Sequence, residues 1–258
     1  MKRRTKIYWG IGLVLAAIVI GSSIVALAGP PLVCFPYDIG NARSLPWGPN
    51  DALSYDARSG WNAPRADYDL DHLVADTLGL LTSQMPVIVR METLRRAAIY
   101  AQKRPWVAKE LLFRLRTRAL DAEAAGRPDA LAFFDFGYLV ETCKQVNGTY
   151  QKTAAGGWRW QEADNPAMSM EGKSWIAKAL SLRANDPQMQ FAAAVTSCTE
   201  MSNGLCTNSS EERVQREHVE RALAGLQEGS LLARNLMARF GGRGGTIDEL
   251  RARFEAGK

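Results

Sequence analysis

Only two histidines, His72 and His218, occur in the 258 residues. Imidazole is the side chain whose ordinary pKa lies nearest neutrality, so this scarcity narrows the acid–base chemistry open to the chain. No G-x-S-x-G elbow, H-E-x-x-H pair or phosphate-binding glycine loop is present, which leaves nucleophilic and zinc catalysis without a sequence basis. Cysteine is limited to four residues, and none of their spacings shows the short C-x-x-C or histidine pairs of a zinc site. Surplus charge is scarce as well. The net charge is +5, but Lys2, Arg3, Arg4 and Lys6 supply four of those charges, so the remainder is close to neutral and nucleic acid is excluded as a partner class. No catalytic residue, metal or cofactor is expected. What the chain does have is 47% hydrophobic and 23% charged residues, the balance of a folded protein with a sizeable core.

The four basic residues precede Ile7 to Ala28, a run of 22 residues without a charge. A basic cap before an apolar run is an export signal, with the basic end held in the cytoplasm. Two outcomes fit it. Ala26-Leu27-Ala28 offers the small residues of a cleavage site near Ala28, giving a secreted protein, while the length of the run suits a transmembrane anchor over residues 7–28 that holds the protein on the periplasmic side. In either case the body reaches an oxidising compartment, where cysteines pair. Cys198 and Cys206 bracket an Asn203-Gly204 turn signal and are expected to form a disulfide; Cys34 with Cys143 is a second candidate pair, against free thiols.

Three helical patterns in succession, residues 87 to 146, organise the rest. Val87, Ile88, Met91, Leu94, Ala98 and Ala101 form one apolar stripe; Ala108, Leu111, Leu112, Leu115, Ala119 and Ala122 form the next; Leu131, Ala132, Phe136, Leu139, Val140 and Cys143 form the third. Pro105 and Pro128 open the second and third helices, and Gly126 closes the second. The arginines between 90 and 118 fall off the stripes and predict a solvated face. Links this short fold neighbouring helices back on one another.

Four regions follow in order. Residues 1–34 carry the export signal. Residues 35–64 are rich in proline, tryptophan and tyrosine and read as an irregular strap over the body. Residues 65–240 form the helical body, interrupted by a second irregular, aromatic-rich insert at 148–170. Within the body, Ser174 is expected to cap one helix, Asn185-Asp186-Pro187 to join it to another, and Ser209 to Glu212 to form a capping box for a long helix that Gly229-Ser230 bends or divides. Residues 241–258 combine a glycine-rich hinge with a short helix whose Ile247, Leu250 and Phe254 make an apolar stripe suited to contact outside the body, homo-assembly included.

Ala119-Leu120 leads to Pro128 and Phe133, and Ala179-Leu180 leads to Pro187 and Phe191, about sixty residues later. This arrangement, best over Lys178 to Ala194, resembles a degenerate tetratricopeptide repeat; no tryptophan, glycine and tyrosine set recurs at that family's spacing. The resemblance implies an all-α fold of stacked antiparallel helical hairpins, a solenoid whose concave face binds a peptide or protein.

Two clusters invite chemistry. Asp67, Asp69 and Asp71 alternate like the opening of a calcium loop, but His72 stands where glycine is needed and Leu78 where the closing glutamate belongs, so the acids read as helix-capping residues. His218, among Arg216, Glu217 and Glu220, reads as an exposed helical residue. In the insert, Trp158, Arg159, Trp160, Glu162 and Asp164, with Glu171 beyond, form the candidate ligand surface. The expected function is a non-catalytic envelope module, anchored or secreted, that binds protein partners through its helical body. The alternative is a cell-wall glycan-binding protein or glycoside hydrolase that stacks sugars on the tryptophans and uses the acids of the 156–171 insert.

Overall fold

A computed structural model describes residues 30–48, 64–102, 104–146, 164–202, 204–242 and 244–255, together with the backbone of four short strands. It is mostly helical. The helices are α1 (Leu73–Leu80), α2 (Val87–Ala101), α3 (Pro105–Ala124), α4 (Ala130–Gln145), α5 (Gly172–Leu182), α6 (Pro187–Thr196), α7 (Ser209–Ala224), α8 (Leu231–Phe240) and α9 (Ile247–Glu255). Among the described residues, strands occur only as two-stranded antiparallel ribbons: β1 (Tyr55–Asp56) with β2 (Trp61–Asn62), β3 (Gly148–Lys152) with β4 (Trp158–Glu162), and β5 (Met201–Ser202) with β6 (Leu205–Cys206). Residues 148–162, expected to be irregular, thus contain a hairpin, which satisfies the backbone groups an unstructured loop would leave to water.

Helix ends follow local chemistry, and several lie a residue or two from where the sequence pattern put them. Asp129, not Pro128, caps α4 by accepting from the Leu131 amide at 2.9 Å. Helix α5 begins at Gly172 with no side-chain cap, Ser174 donating back to the Glu171 carbonyl instead. Asn208 caps α7, so Glu212 is left to pair with Arg216 and the Ser209 box does not form. Thr246 and Glu249 do make a reciprocal box ahead of α9. Gly126, at φ +69°, ends α3 with paired bonds from its own amide to the Glu123 carbonyl and from the Arg127 amide to the Ala122 carbonyl, the left-handed turn that glycine adopts without a Cβ penalty.

Packing places α2 and α4 at the centre. Helix α2 touches α1, α3, α4 and α6, and consecutive helices from α2 through α7 are in contact. Every residue of α2 except Arg96 and Ile99 is buried, as is every residue of α4 up to Cys143. A helix enclosed on all sides has no solvated face, and the expectation that the arginines near 90 point outward fails for Arg90 and Arg95, which are 0% and 1% exposed. Helices α4 and α5 cross at two glycines: a Cβ on Gly137 would lie 2.7 Å from the Gly172 carbonyl oxygen, and one on Gly172 would lie 2.5 Å from that of Gly137. Gly137→Ala is therefore expected to force the pair apart and cost ~1–3 kcal/mol in urea unfolding, whereas an unchanged midpoint would show that the crossing relaxes freely.

Residues 30–48 lie over this core as a strap. Leu32, Tyr37 and Leu45 are buried in it, the Tyr37 amide donates to Glu92 at 3.0 Å, Tyr100 donates to the Pro46 carbonyl at 2.7 Å, and Arg239 donates to the carbonyls of Pro31 and Phe35. The far end of the chain docks as well. Phe254 and Leu250 are 1% and 2% exposed, and the Phe254 ring sits 5.9 Å from that of Phe240, so α9 packs on α7 and α8 and its stripe is used within the body instead of forming a free contact arm. Ile247 is only half-buried at the edge of the same contact.

Cys198 and Cys206 are bonded across the β5–β6 hairpin, with Cα atoms 5.2 Å apart. Cys34 and Cys143 do not pair. Cys34 is half-buried in the strap and Cys143 lies inside α4, where burial pushes its thiol up to about 12.

Candidate functional site

Helix α3 has two faces of different character. Its inner stripe, Val107, Ala108, Leu111, Leu112, Leu115 and Ala119, is buried against α1 and α4. Its outer face exposes Trp106, Phe113 and Leu120 at 60%, 62% and 41%, the largest set of exposed bulky apolar side chains on one helix among the described residues. A spacing of seven residues is two turns less about 20°, so the three lie in one row about 21 Å long. On one flank stand Lys109 and Arg116, both exposed and without an ion-pair partner among the described residues, and Glu123, which pairs with Lys178, continues their row. On the other, Arg114 pairs with Glu110 at 2.7 Å. Met168, 56% exposed, adds an apolar group on the 3₁₀ turn Pro166–Ser169, which packs on α3 and α4. The row was missed in the sequence because it lies off the main stripe; three large apolar residues at heptad spacing among lysines and arginines were the signal that marks it.

The insert residues fall differently. Trp158, Arg159, Trp160 and Glu162 belong to β4, whose backbone pairs Trp160 with Tyr150 and Trp158 with Lys152, and their side chains lie outside the described residues. Asp164 follows the strand, is exposed, and lines a cavity of about 20 Å³ with Pro105, Ala108, Cys143, Val146 and Asn165. That volume holds about one water molecule and no sugar ring. Glu171 is exposed at the start of α5.

The aspartates before α1 are engaged with protein groups. Asp67 pairs with Arg65 at 2.9 Å, Asp69 caps by accepting from the Asp71 amide at 2.9 Å, and Asp71 pairs with Arg104. Among the described residues, no three His, Cys, Asp or Glu side chains gather where they could hold a metal ion. His218 is not the exposed residue its charged neighbours suggested. Its ring is half-buried, with Nδ1 2.7 Å from Gln190 Oε1, and burial holds its pKa below the ordinary value.

The interior holds charge that sequence periodicity placed outside. Glu92, 0% exposed, accepts from Arg95 at 2.8 and 2.9 Å, from Arg96 at 2.7 Å and from the Tyr37 amide. Burial opposes its charge, but those donors outweigh burial and hold the carboxyl below the ordinary range. Arg90 pairs with Asp135 at 2.5 Å, both at 0% exposure. The Tyr138 hydroxyl donates to Tyr37 at 2.9 Å, and burial raises both phenols. These groups join the strap to α2 and α2 to α4. They face one another, not a cleft, so the arrangement serves the fold.

No protein-family model matches the chain, no curated protein is significantly similar to it, and no solved structure matches its fold. Among the described residues no helix is long and apolar enough to cross a membrane; residues 7–28 lie outside them.

Proposed function

We propose that the chain is a non-catalytic envelope module, exported by residues 1–28 and either anchored or released, that works through contacts made by its helical body. On this reading α3–α4 and α5–α6, each pair joined through a proline, are degenerate tetratricopeptide-like hairpins of a scaffold whose surface is its working part. The observation that carries the reading is the row of Trp106, Phe113 and Leu120, because large side chains aligned along one helix and left in water are costly unless something covers them. The Cys198–Cys206 bond supports residence in an oxidising compartment.

A photo-crosslinking side chain placed at position 113 in cells is expected to give covalent adducts, and one at exposed Arg213 on α7 to give none. Phe113→Asp should reduce recovery of the bound envelope component from gently solubilised envelopes about tenfold, the loss expected for one anchoring aromatic. Adducts equal at both positions, with recovery indifferent to the substitution, would sink the reading.

A second reading rests on β4, which carries Trp158 and Trp160 two residues apart. Two aromatics in that relation suit a glycan-stacking platform. Retention on insoluble cell-wall glycan, lost in Trp158→Ala/Trp160→Ala, separates it from the first.

A further inference from the structure

We infer that the outer face of α3 rests on an anionic lipid bilayer, with Trp106, Phe113 and Leu120 at the boundary between headgroups and acyl chains and Lys109 and Arg116 at lipid phosphates. The inference rests on the reading of this face as the contact surface and names what covers it.

The first argument is where the chain comes from. The uncharged run ends at Ala28, and by Leu32 the chain is already fixed: Leu32 is fully buried and its amide donates to Gln145 Oε1 at 2.7 Å, at the C-terminal end of α4. Four residues span at most about 14 Å, so an apolar run seated in a bilayer holds that end of the bundle at the membrane surface. The N-terminal end of α3 is at the same end. Val146, one residue beyond α4, lines one small cavity with Pro105, and Trp106 is the next residue. The row therefore starts beside the point where the tether meets the body.

The second argument is the composition of the face. A partner helix laid along the row needs apolar residues three or four positions on from each member. Lys109, Arg116 and Glu123 occupy the positions three on, and Glu110, Thr117 and Ala124 the positions four on. Only the last of these is apolar, so a helix–helix seam is broken along its length. Lipid has no such requirement. Trp settles at headgroup level, Phe and Leu enter the acyl boundary, and long cationic side chains beside them extend to phosphates. With Lys109 and Arg116 unpaired among the described residues and Glu123 neutralised by Lys178, that flank is complementary to an anionic surface.

The test uses the full chain reconstituted in vesicles of phosphatidylcholine alone or mixed with phosphatidylglycerol, with brominated acyl chains as quenchers of tryptophan emission. The chain has seven tryptophans, so the difference between it and Trp106→Phe isolates the one at issue. In anionic vesicles most of the Trp106 emission should be quenched. Each basic residue near such a surface is worth about a fivefold change in partition. The double variant Lys109→Glu, Arg116→Glu should therefore cut the quenching at least about tenfold while its circular dichroism is unchanged. Trp106 emission that no lipid composition quenches, quenching indifferent to the two reversals, or a doubled particle mass with Trp106 shielded from bromine would each overturn the inference. If the bilayer contact fails while Phe113→Asp still loses the envelope component, the contact-surface reading stands and the covering partner is a protein; if both fail, both fall.

Discussion

Glu92→Ala is expected to lower the unfolding free energy by ~3–5 kcal/mol, the cost of breaking a buried ion pair by removing one partner. Among the described residues the carboxylate is the only anion paired with Arg95, which is 1% exposed, and it also receives Arg96 and the Tyr37 amide. Without it Arg95 keeps one neutral acceptor, the Val33 carbonyl at 3.0 Å, for a charge that water does not reach. The strap should loosen first, because Arg95 and Arg96 donate to its Val33 and Leu45 carbonyls from orientations that Glu92 fixes. Hydrogen exchange at residues 31–48 is then expected to rise more than at α4. The pH dependence has a definite sign. Glu92 is held below its ordinary value of 4.5, so its stabilisation is present above that value and lost as the pH falls through the lower folded value. The variant should accordingly show a flatter acid limb below pH 4.5. A loss under about 1 kcal/mol would mean that the arginines find solvent by moving, and that the network does not hold the strap.

The apolar stripes of α2, α3 and α4 were legible in the sequence, as were the proline junctions at 105 and 187, because periodicity and backbone chemistry are local properties. What was not legible was which of these helices has water beside it. The pattern around Arg90 reads the same whether the off-stripe face meets solvent or another helix, and burial is decided by α4 and by a strap more than forty residues away. One local sign was available: Phe133, Phe134, Phe136 and Tyr138 leave α4 no polar face, so whatever packs on it must supply partners for Asp135 from within. The candidate surface was less legible still. Trp106, Phe113 and Leu120 stand on a face labelled solvated by Lys109, Arg114 and Arg116, and a few cations hide an apolar row when residues are read one turn at a time. The terminal stripe failed in the opposite sense. Leu250 and Phe254 looked free beyond a run of glycines, yet the chain turns back, with Gly242 and Gly244 at φ +70° and +72°, and buries them on Phe240.

Asp135→Asn is expected to stabilise the protein above pH 6, against the intuition that a buried ion pair must be worth keeping. Asp135 is completely buried beside Arg90, with Arg118 farther away at 3.9 Å, and its second oxygen, Oδ1, has no hydrogen-bond partner among the described residues. Arg90 meanwhile satisfies itself elsewhere, donating to the carbonyls of Met85 and Thr82 and so closing the link between α1 and α2. Desolvation of a half-satisfied carboxylate outweighs the attraction of the two arginines, and the acid is pushed up from 3.8 to about 6. A raised folded value means that the group's contribution to stability is full below 3.8 and is lost as the pH rises through about 6. Asparagine resembles the protonated acid in size and hydrogen-bonding capacity and has no such loss. The variant should match the parent near pH 4 or below and exceed it by ~3 kcal/mol at pH 8, the free energy equivalent of the shift. Urea unfolding of both proteins across that range decides the matter. Should Asp135→Asn instead destabilise at pH 8, the Arg90 pair outweighs burial, and the charges between α2 and α4 are a net source of stability instead of a cost that the apolar packing around them offsets.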